Sequence, residues 1–166
     1  SYKKAIAIKP DFVEAFFNQG ITFQALDQLV SAVKSYKDAI TINPNYFEAL
    51  NNLGVALNSL GEIDEAINCY KSAIAIKPDY AEAHNNLGTI FAELKQFNNA
   101  EETFKQAILL NPKYAGAHYN LGNTLKDLRK IYEAEESFRK AIVINPNYTE
   151  AHNNLGNIMK SHDRLE

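Results

Sequence analysis

Side-chain amides supply the most regular chemistry in this sequence, because asparagines recur at a constant step of 34 residues. They are Asn18, Asn52, Asn86, Asn120 and Asn154. An amide side chain offers a hydrogen-bond donor and an acceptor together, which is what an extended peptide backbone also presents. Asparagine is a poor helix former, so its recurrence on helices needs another explanation. The spacing therefore predicts a row of amides that binds the backbone of another chain.

Other reactive side chains give no catalytic or metal-binding pattern. His84, His118 and His152 are one 34-residue step apart, and neighbouring helices lie roughly 8 to 10 Å apart, too far for one ion to be shared at bonds of roughly 2.1 Å. We expect these imidazoles to pack or to hydrogen-bond at helix edges. The lone Cys69 has no evident activating partner and is expected to be inert. We predict no enzyme activity, no cofactor and no metal.

The whole chain repeats with the same period, because its prolines follow the asparagine step. They are Pro10, Pro44, Pro78, Pro112 and Pro146. A period of this length is typical of a solenoid. We predict a single solenoid over 1–166, with full repeats and a partial repeat at each end. The full repeats are 13–46, 47–80, 81–114 and 115–148, and the partial ones are 1–12 and 149–166.

Each repeat is predicted to be a pair of helices. In 47–80, apolar residues recur at helical spacing up to Leu60 and again from Ile63. Gly61 is suited to end the first helix, and Pro78, which lacks an amide hydrogen, cannot lie within the second. The partial repeats are then a second helix at 1–12 and a first helix at 149–166.

Short polar residues after the prolines predict capped first helices. The pairs are Asp11 with Glu14, Asn45 with Glu48, Asp79 with Glu82, and Asn147 with Glu150. The fourth full repeat has Lys113 and Gly116 instead, which predicts the weakest helix start there.

Small residues repeat as strictly as the large ones. Glycine recurs in mid-helix at Gly20, Gly54, Gly88, Gly122 and Gly156. Glycine there costs about 1 kcal/mol relative to alanine, so we expect a close approach of another group to the backbone. In the second helices, alanines flank an aromatic residue at Tyr36, Tyr70, Phe104 and Phe138.

With Leu-Gly in the first helix, Ala-aromatic-Ala in the second and a closing proline, the chain resembles the tetratricopeptide repeat family. The resemblance implies an all-α fold, a right-handed superhelical solenoid of antiparallel helix pairs whose concave face binds peptides or protein segments. The chain departs from the pattern at Gln19, where the other repeats have leucine, and at Asp27, Lys95 and Arg129, which replace the loop glycine.

The predicted peptide-binding residues lie on the face of the first helices that the helical period turns outward. Beside the recurring asparagines, they are Asn51, Asn85, Asn153, Phe17, Tyr119, Asn123 and Asn157. Phe17 and Tyr119 are treated as exposed aromatic side chains and candidate ligand anchors. The row of asparagines resembles that of the superhelical repeats in O-linked N-acetylglucosamine transferases, where matching asparagines hold substrate polypeptide.

Charge restricts the partner. The net charge of −3 gives no basic surface for nucleic acid, and no apolar run approaches the roughly 20 residues that span a bilayer. The residues expected on the concave face include glutamates and lack the cationic clamp used by repeats that bind acidic chaperone C-termini. We expect a cytoplasmic protein and a neutral or basic partner segment.

Several alternatives stay open. The chain is interpreted as a non-catalytic interaction scaffold; it could instead be the substrate-recruiting arm of a larger glycosyltransferase or a self-assembly module. The asparagines could also be solvated or bonded to a neighbouring helix, having spread by duplication. If they only contact ligand, alanine in place of Asn52, Asn86 and Asn120 should leave stability unchanged or raise it slightly, since alanine is the better helix former. The partial repeats leave apolar helix faces open, which predicts head-to-tail association.

Overall fold

The computed structural model describes residues 10–162, and side chains within 12–160. All regular structure in that range is helical. The first helices of the repeats are α1 (Pro10–Ala25), α3 (Phe47–Ser59), α5 (Ala81–Glu93), α7 (Ala115–Asp127) and α9 (Thr149–His162). The second helices are α2 (Leu29–Ile42), α4 (Ile63–Ile76), α6 (Phe97–Leu110) and α8 (Ile131–Ile144). The prediction of an all-α solenoid of helix pairs is confirmed.

Two halves of the chain, Ser1–Ala83 and His84–Glu166, each hold their own packing. In the N-terminal half, α1 packs on α2, α2 on α3, and α3 on α4. In the C-terminal half, α6 packs on α7, α7 on α8, and α8 on α9. Contacts between helices adjacent in sequence are what a solenoid of repeats requires. The first predicted partial repeat lies almost wholly outside the described residues. No helix within 10–162 is long and apolar enough to cross a membrane.

On each of the helices α1, α3, α5 and α7, a glycine contacts an aromatic ring that comes from the second helix of the same repeat. We call each such place a glycine notch. A Cβ atom built on the glycine would lie 2.5 to 2.8 Å from the ring, which no side chain tolerates. The pairs are Gly20 with Tyr36, Gly54 with Tyr70, Gly88 with Phe104, and Gly122 with Phe138. The expected close approach is confirmed, and the group that approaches the backbone is the ring.

These rings are the centre of the packing in each half. Tyr36 and Phe138 are wholly buried, and an alanine four residues before each ring and another three residues after it are also buried. Small residues beside the ring let the two helices close around it. The repeated Ala-aromatic-Ala pattern therefore forms the contact surface within each pair.

The first helices end in one backbone conformation even where the loop glycine is replaced. Gly61 has φ of 81°, and Asp27, Lys95 and Arg129 have φ of 56°, 58° and 62°. The amide of the next residue then donates to the carbonyl five residues before it, as Lys130 does to Leu125 at 2.9 Å. This is the hydrogen bond of the left-handed helix terminus that glycine favours. The replacements keep the turn at the cost of a strained backbone.

The helix starts correct the capping prediction. Helix α3 begins at Phe47, and the residue before it, Tyr46, makes no side-chain capping hydrogen bond, so Asn45 is not the cap. Tyr114 precedes α7 in the same way. Lys113 therefore does not mark a missing cap, and what distinguishes the start of α7 from that of α3 is the first turn, with Gly116 in place of Glu48.

The turns before these helices explain why the helices do not start at the predicted caps. Asn43 follows α2, and its side-chain oxygen accepts from the amide of Asn45 at 3.2 Å. Asn111 and Asn145 repeat this bond to Lys113 and Asn147 at the same distance. An asparagine that bonds to the backbone two residues on makes its own turn. The helix then starts only after that turn is complete.

One buried carboxylate ties α6 to the start of α8. Glu101 Oε1 accepts from Lys105 Nζ at 2.6 Å, and its Oε2 accepts from Lys130 Nζ at 2.7 Å. Burial alone raises the pKa of the Glu101 carboxyl, but the hydrogen bonds and charges of the two lysines together outweigh it, and the pKa lies below its usual value. The ion pair thus satisfies a charge that would otherwise be costly to bury.

Candidate peptide-binding face

The asparagines that recur with the 34-residue period all lie on first helices. Asn18 on α1 is exposed, and Asn52, Asn86, Asn120 and Asn154 are half-buried. Two belong to the N-terminal half and three to the C-terminal half. We call this set the asparagine row, without implying how the two halves are arranged.

In the N-terminal half, the amide of Asn52 takes part in bonds within the protein. Asn51 Nδ2 lies 3.4 Å from Asn52 Oδ1 and 3.4 Å from Glu82 Oε1. Asn52 is also hydrogen-bonded to Tyr36. Burial raises the pKa of Tyr36 above its usual value, and the bond from Asn52 opposes that rise. The amide thereby connects α3 to the ring that fills the first glycine notch.

In the C-terminal half, two members of the row bond to other asparagines on the preceding first helix. Asn120 Nδ2 donates to Asn85 Oδ1 at 3.1 Å, from α7 to α5. Asn154 Nδ2 donates to Asn123 Oδ1 at 2.8 Å, from α9 to α7. The interpretation that these amides bond to a neighbouring helix is therefore confirmed for these two, and a ligand would meet amides already held in place.

The asparagines that directly precede members of the row differ in burial. Asn51 is completely buried and Asn85 is 7% exposed. Neither offers surface to a ligand, which removes both from the accessible part of the predicted site. Their amides support the neighbouring asparagines instead. Asn153, the corresponding residue of α9, is exposed.

Phe17 and Tyr119 are half-buried, so the expectation of exposed aromatic residues was wrong. The Phe17 ring lies 4.9 Å from the Tyr46 ring and 6.0 Å from the Tyr36 ring, between ring centroids. Tyr119 lies 4.9 Å from the Tyr148 ring and packs against the C-terminal core. Each ring thus packs against the aromatic residue that closes its own repeat. Of the remaining candidates, Asn123 is half-buried and Asn157 is exposed.

Acidic side chains lie at the start of the first helices and are open to solvent. Glu14, Glu82 and Glu150 are exposed, and Glu48 is half-buried. Glu93 and Asp127 are exposed at the other ends of α5 and α7. The exposed lysines on these helices are Lys126 and Lys160. First helices therefore carry more exposed negative than positive charge.

Two of the histidines bond to backbone carbonyl groups, and the cysteine thiol is largely buried. His118 Nε2 lies 3.0 Å from the Pro112 carbonyl oxygen, and His152 Nε2 lies 2.9 Å from that of Pro146. The expected edge hydrogen bonds are confirmed for these two. Burial raises the pKa of the Cys69 thiol to about 11, so it stays protonated at neutral pH. Within 10–162, no three His, Cys, Asp or Glu residues are grouped so as to hold a metal.

All the protein-family models that match the chain describe the same kind of repeat. Models described as tetratricopeptide repeat match residues 13–46, 35–68, 81–114 and 115–148, and one described as TPR repeat matches 56–94. No curated protein matches the chain.

Solved structures resemble it closely in fold. A structure of MamA protein is 25% identical, with a TM-score of 0.78 over 93% of this chain and 84% of that one. The first TPR of Spaghetti (RPAP3), bound to the HSP90 peptide SRMEEVD, is 28% identical, with a TM-score of 0.68 over 70% of this chain and 93% of that one. PilF of Pseudomonas aeruginosa is 22% identical, with a TM-score of 0.88 over 93% of this chain and 71% of that one, and shows the fold alone.

Proposed function

Because the chain belongs to the tetratricopeptide repeat family, we propose that it is a protein-interaction scaffold that binds an extended segment of another protein along the asparagine row. The family membership and the peptide held by the RPAP3 repeats support the general role. The observation that carries the specific proposal is the asparagine row itself. Its amides are at least partly exposed, and those of Asn120 and Asn154 are held by hydrogen bonds of 3.1 and 2.8 Å to asparagines of the preceding first helix.

Amides held in this way suit recognition of a backbone. Neighbouring helices lie roughly 8 to 10 Å apart and an extended chain rises about 3.3 Å per residue, so one asparagine can engage about every third residue of a ligand. Asn86, Asn120 and Asn154, all in the C-terminal half, would span about six residues of an extended segment. Because the side chains are already positioned, binding would lose little side-chain entropy.

Charge argues for a neutral or basic segment. The RPAP3 repeats hold the peptide SRMEEVD, which is acidic near its end. Here the exposed groups at the starts of the first helices include Glu14, Glu82 and Glu150. An acidic peptide would be repelled by these side chains, whereas a lysine or arginine could pair with them.

Replacing Asn86, Asn120 and Asn154 together by alanine tests the proposal. A pull-down with the 166-residue chain, followed by mass spectrometry, first identifies a partner segment. A labelled peptide of that segment is then titrated with both proteins. We expect the triple variant to bind about tenfold or more weakly, since several backbone hydrogen bonds are lost together. The same loss should not follow in an Asn68→Ala, Asn98→Ala control, whose exposed amides lie on second helices.

The stability of the triple variant must be measured beside its binding. The row is bonded within the protein, so alanine removes hydrogen bonds worth about 1 kcal/mol each, and better helix propensity recovers about 0.6 kcal/mol per site. The expectation that stability is independent of these asparagines is therefore replaced by a small net loss. If the variant is folded and binds the peptide as tightly as the unchanged chain, the asparagine row is structural only.

A further inference from the structure

A cavity of about 470 Å³ lies among α6, α8 and the turn that leads into α7. Its apolar wall consists of Ile108 on α6, Pro112 in the turn, and Val143 and Ile144 on α8. Ligand sites in proteins commonly measure about 300 to 1,000 Å³ and have mostly apolar walls with a few polar groups. The cavity lies wholly within the C-terminal half and has the size and the lining of such a site.

Part of this apolar wall faces solvent. Val143 is 81% exposed, and Leu109, at the same repeat position, is 72% exposed although α7, α8 and α9 follow it. The position is therefore open to solvent with further repeats in place. In the N-terminal half it carries Thr41 and Ala75, so the repeat itself does not require a branched apolar side chain there. An exposed apolar side chain beside an apolar cavity extends the patch that a partner can cover.

The cavity and the asparagine row meet α7 on opposite sides. The buried His118 lines the cavity, where its Nε2 lies 3.0 Å from the Pro112 carbonyl oxygen. Asn120, a member of the row, follows two positions later and is therefore about 200° away around a helix of 3.6 residues per turn. A segment in the cavity would not compete with one bound along the row.

Charged groups stand at the rim of the cavity. Arg139 donates from Nε and Nη2 to Glu135 Oε1 at 2.9 and 2.7 Å, and Lys140 Nζ lies 2.7 Å from Glu136 Oε1. Exposed pairs of this kind contribute little free energy, and a guanidinium with five N–H donors or an ammonium with three can serve a further acceptor. Arg139 and Lys140 outnumber the one carboxylate that lines the cavity, that of Glu136.

We infer that this cavity binds a segment of a second partner protein in which two apolar side chains are followed by an acidic residue. The cavity is larger than any single side chain, so two can enter between Ile108 and Val143 and be removed from water. The carboxylate would pair with Arg139 or Lys140 at the rim. Together with the function proposed above, the chain would then hold two segments of opposite charge preference on different helices.

Short capped peptides test the inference by nuclear magnetic resonance of the isotopically labelled 166-residue chain. One peptide has two leucines and a glutamate, and the other has two leucines and a lysine. We expect the glutamate peptide to shift amide signals at the C-terminal ends of α6 and α8. It should bind about two- to fivefold more tightly than the lysine peptide, which is the range of an exposed ion pair.

Replacing Arg139 and Lys140 together by glutamine should reverse the preference between the two peptides, because Glu136 is then the charge that remains in the lining. The matched control is Lys71→Gln, since Lys71 is exposed at the same repeat position as Arg139 but in the N-terminal half. It should leave the ratio of the two affinities unchanged.

Val143→Asn should weaken both peptides about fivefold, because it removes an apolar wall of the cavity. The residue is exposed, so the fold should persist, and Ala75→Asn at the corresponding position is the control. The inference is wrong if neither peptide shifts these signals, if both bind equally, or if the shifted signals belong to the asparagine row. It is also wrong if the signals shift with protein concentration alone and Val143→Asn prevents this, because a second copy would then occupy the cavity.

Discussion

A single atom decides whether glycine is needed in the first helices. At Gly122 a methyl group would enter the space of a wholly buried ring. At Gly156 the same methyl group would meet nothing within 4 Å in the part of the chain that the structure describes. Glycine is therefore required at position 122. At position 156, the corresponding place in the next repeat, glycine only lowers helix stability relative to alanine.

Gly122→Ala and Gly156→Ala should change stability in opposite directions. The first overpacks the contact with Phe138 and should destabilise the chain by about 1 to 3 kcal/mol. The second replaces a mid-helix glycine without a clash and should stabilise it by about 1 kcal/mol. Urea unfolding of both variants measures the free energies. Two changes of the same sign would show that the ring does not determine the need for glycine.

At the residue scale, the sequence predicted the periodic asparagines but not which amides are accessible. Asn51 and Asn52 are adjacent in sequence and identical in type, yet one is wholly buried and the other half-exposed. A helical wheel places both near one face. What separates them is the next first helix, where Glu82 lies within hydrogen-bond distance of Asn51. A contact made 31 residues away cannot be read from local periodicity.

At the scale of the helices, the turns that end the first helices differ in sequence but share one backbone conformation. The left-handed turn after the first helix is occupied by Asp27, Gly61, Lys95 or Arg129, with φ between 56° and 81°. A side chain in this conformation costs about 1 to 2 kcal/mol, which glycine avoids.

Arg129→Gly should therefore stabilise the chain by about 1 kcal/mol, and Gly61→Ala should destabilise it by a similar amount. Arg129 is exposed, so little packing is lost in the first change. Thermal unfolding monitored by circular dichroism compares the two variants. If Arg129→Gly lowers the melting temperature, a contact of the arginine side chain outweighs the strain in its backbone.

The helix pairs were predictable because apolar spacing and the closing prolines repeat without insertion. The helix starts were not. Asn45 looked like a cap, but the Asn43 side chain takes the Asn45 amide into a turn, and α3 starts at Phe47. Asn43 and Asn45 could each bond to a backbone amide near the helix start, and the sequence does not say which of them does.

At the scale of the whole molecule, net charge should influence which segments bind. The chain carries a formal charge of −3, and exposed glutamates recur at the starts of its first helices. Once a partner peptide is known, a version with its lysines changed to glutamate should bind several-fold more weakly, and added salt should narrow the difference by screening. Titrations at low and high salt measure this. Equal affinities for both peptides at low salt would contradict the charge preference.

The rings in the glycine notches also give the molecule two spectroscopic labels. The N-terminal half uses Tyr36 and Tyr70, and the C-terminal half uses Phe104 and Phe138. The chain has no tryptophan to mask them. Near-ultraviolet circular dichroism depends on fixed tertiary packing around aromatic rings. Packed rings of the other type are also present in each half, such as Phe17 and Tyr119, so the contribution of each notch is obtained by difference. The part of the tyrosine band that Tyr36→Phe and Tyr70→Phe remove reports the ordering of the N-terminal core, so loss of packing can be assigned to that half without attaching a dye.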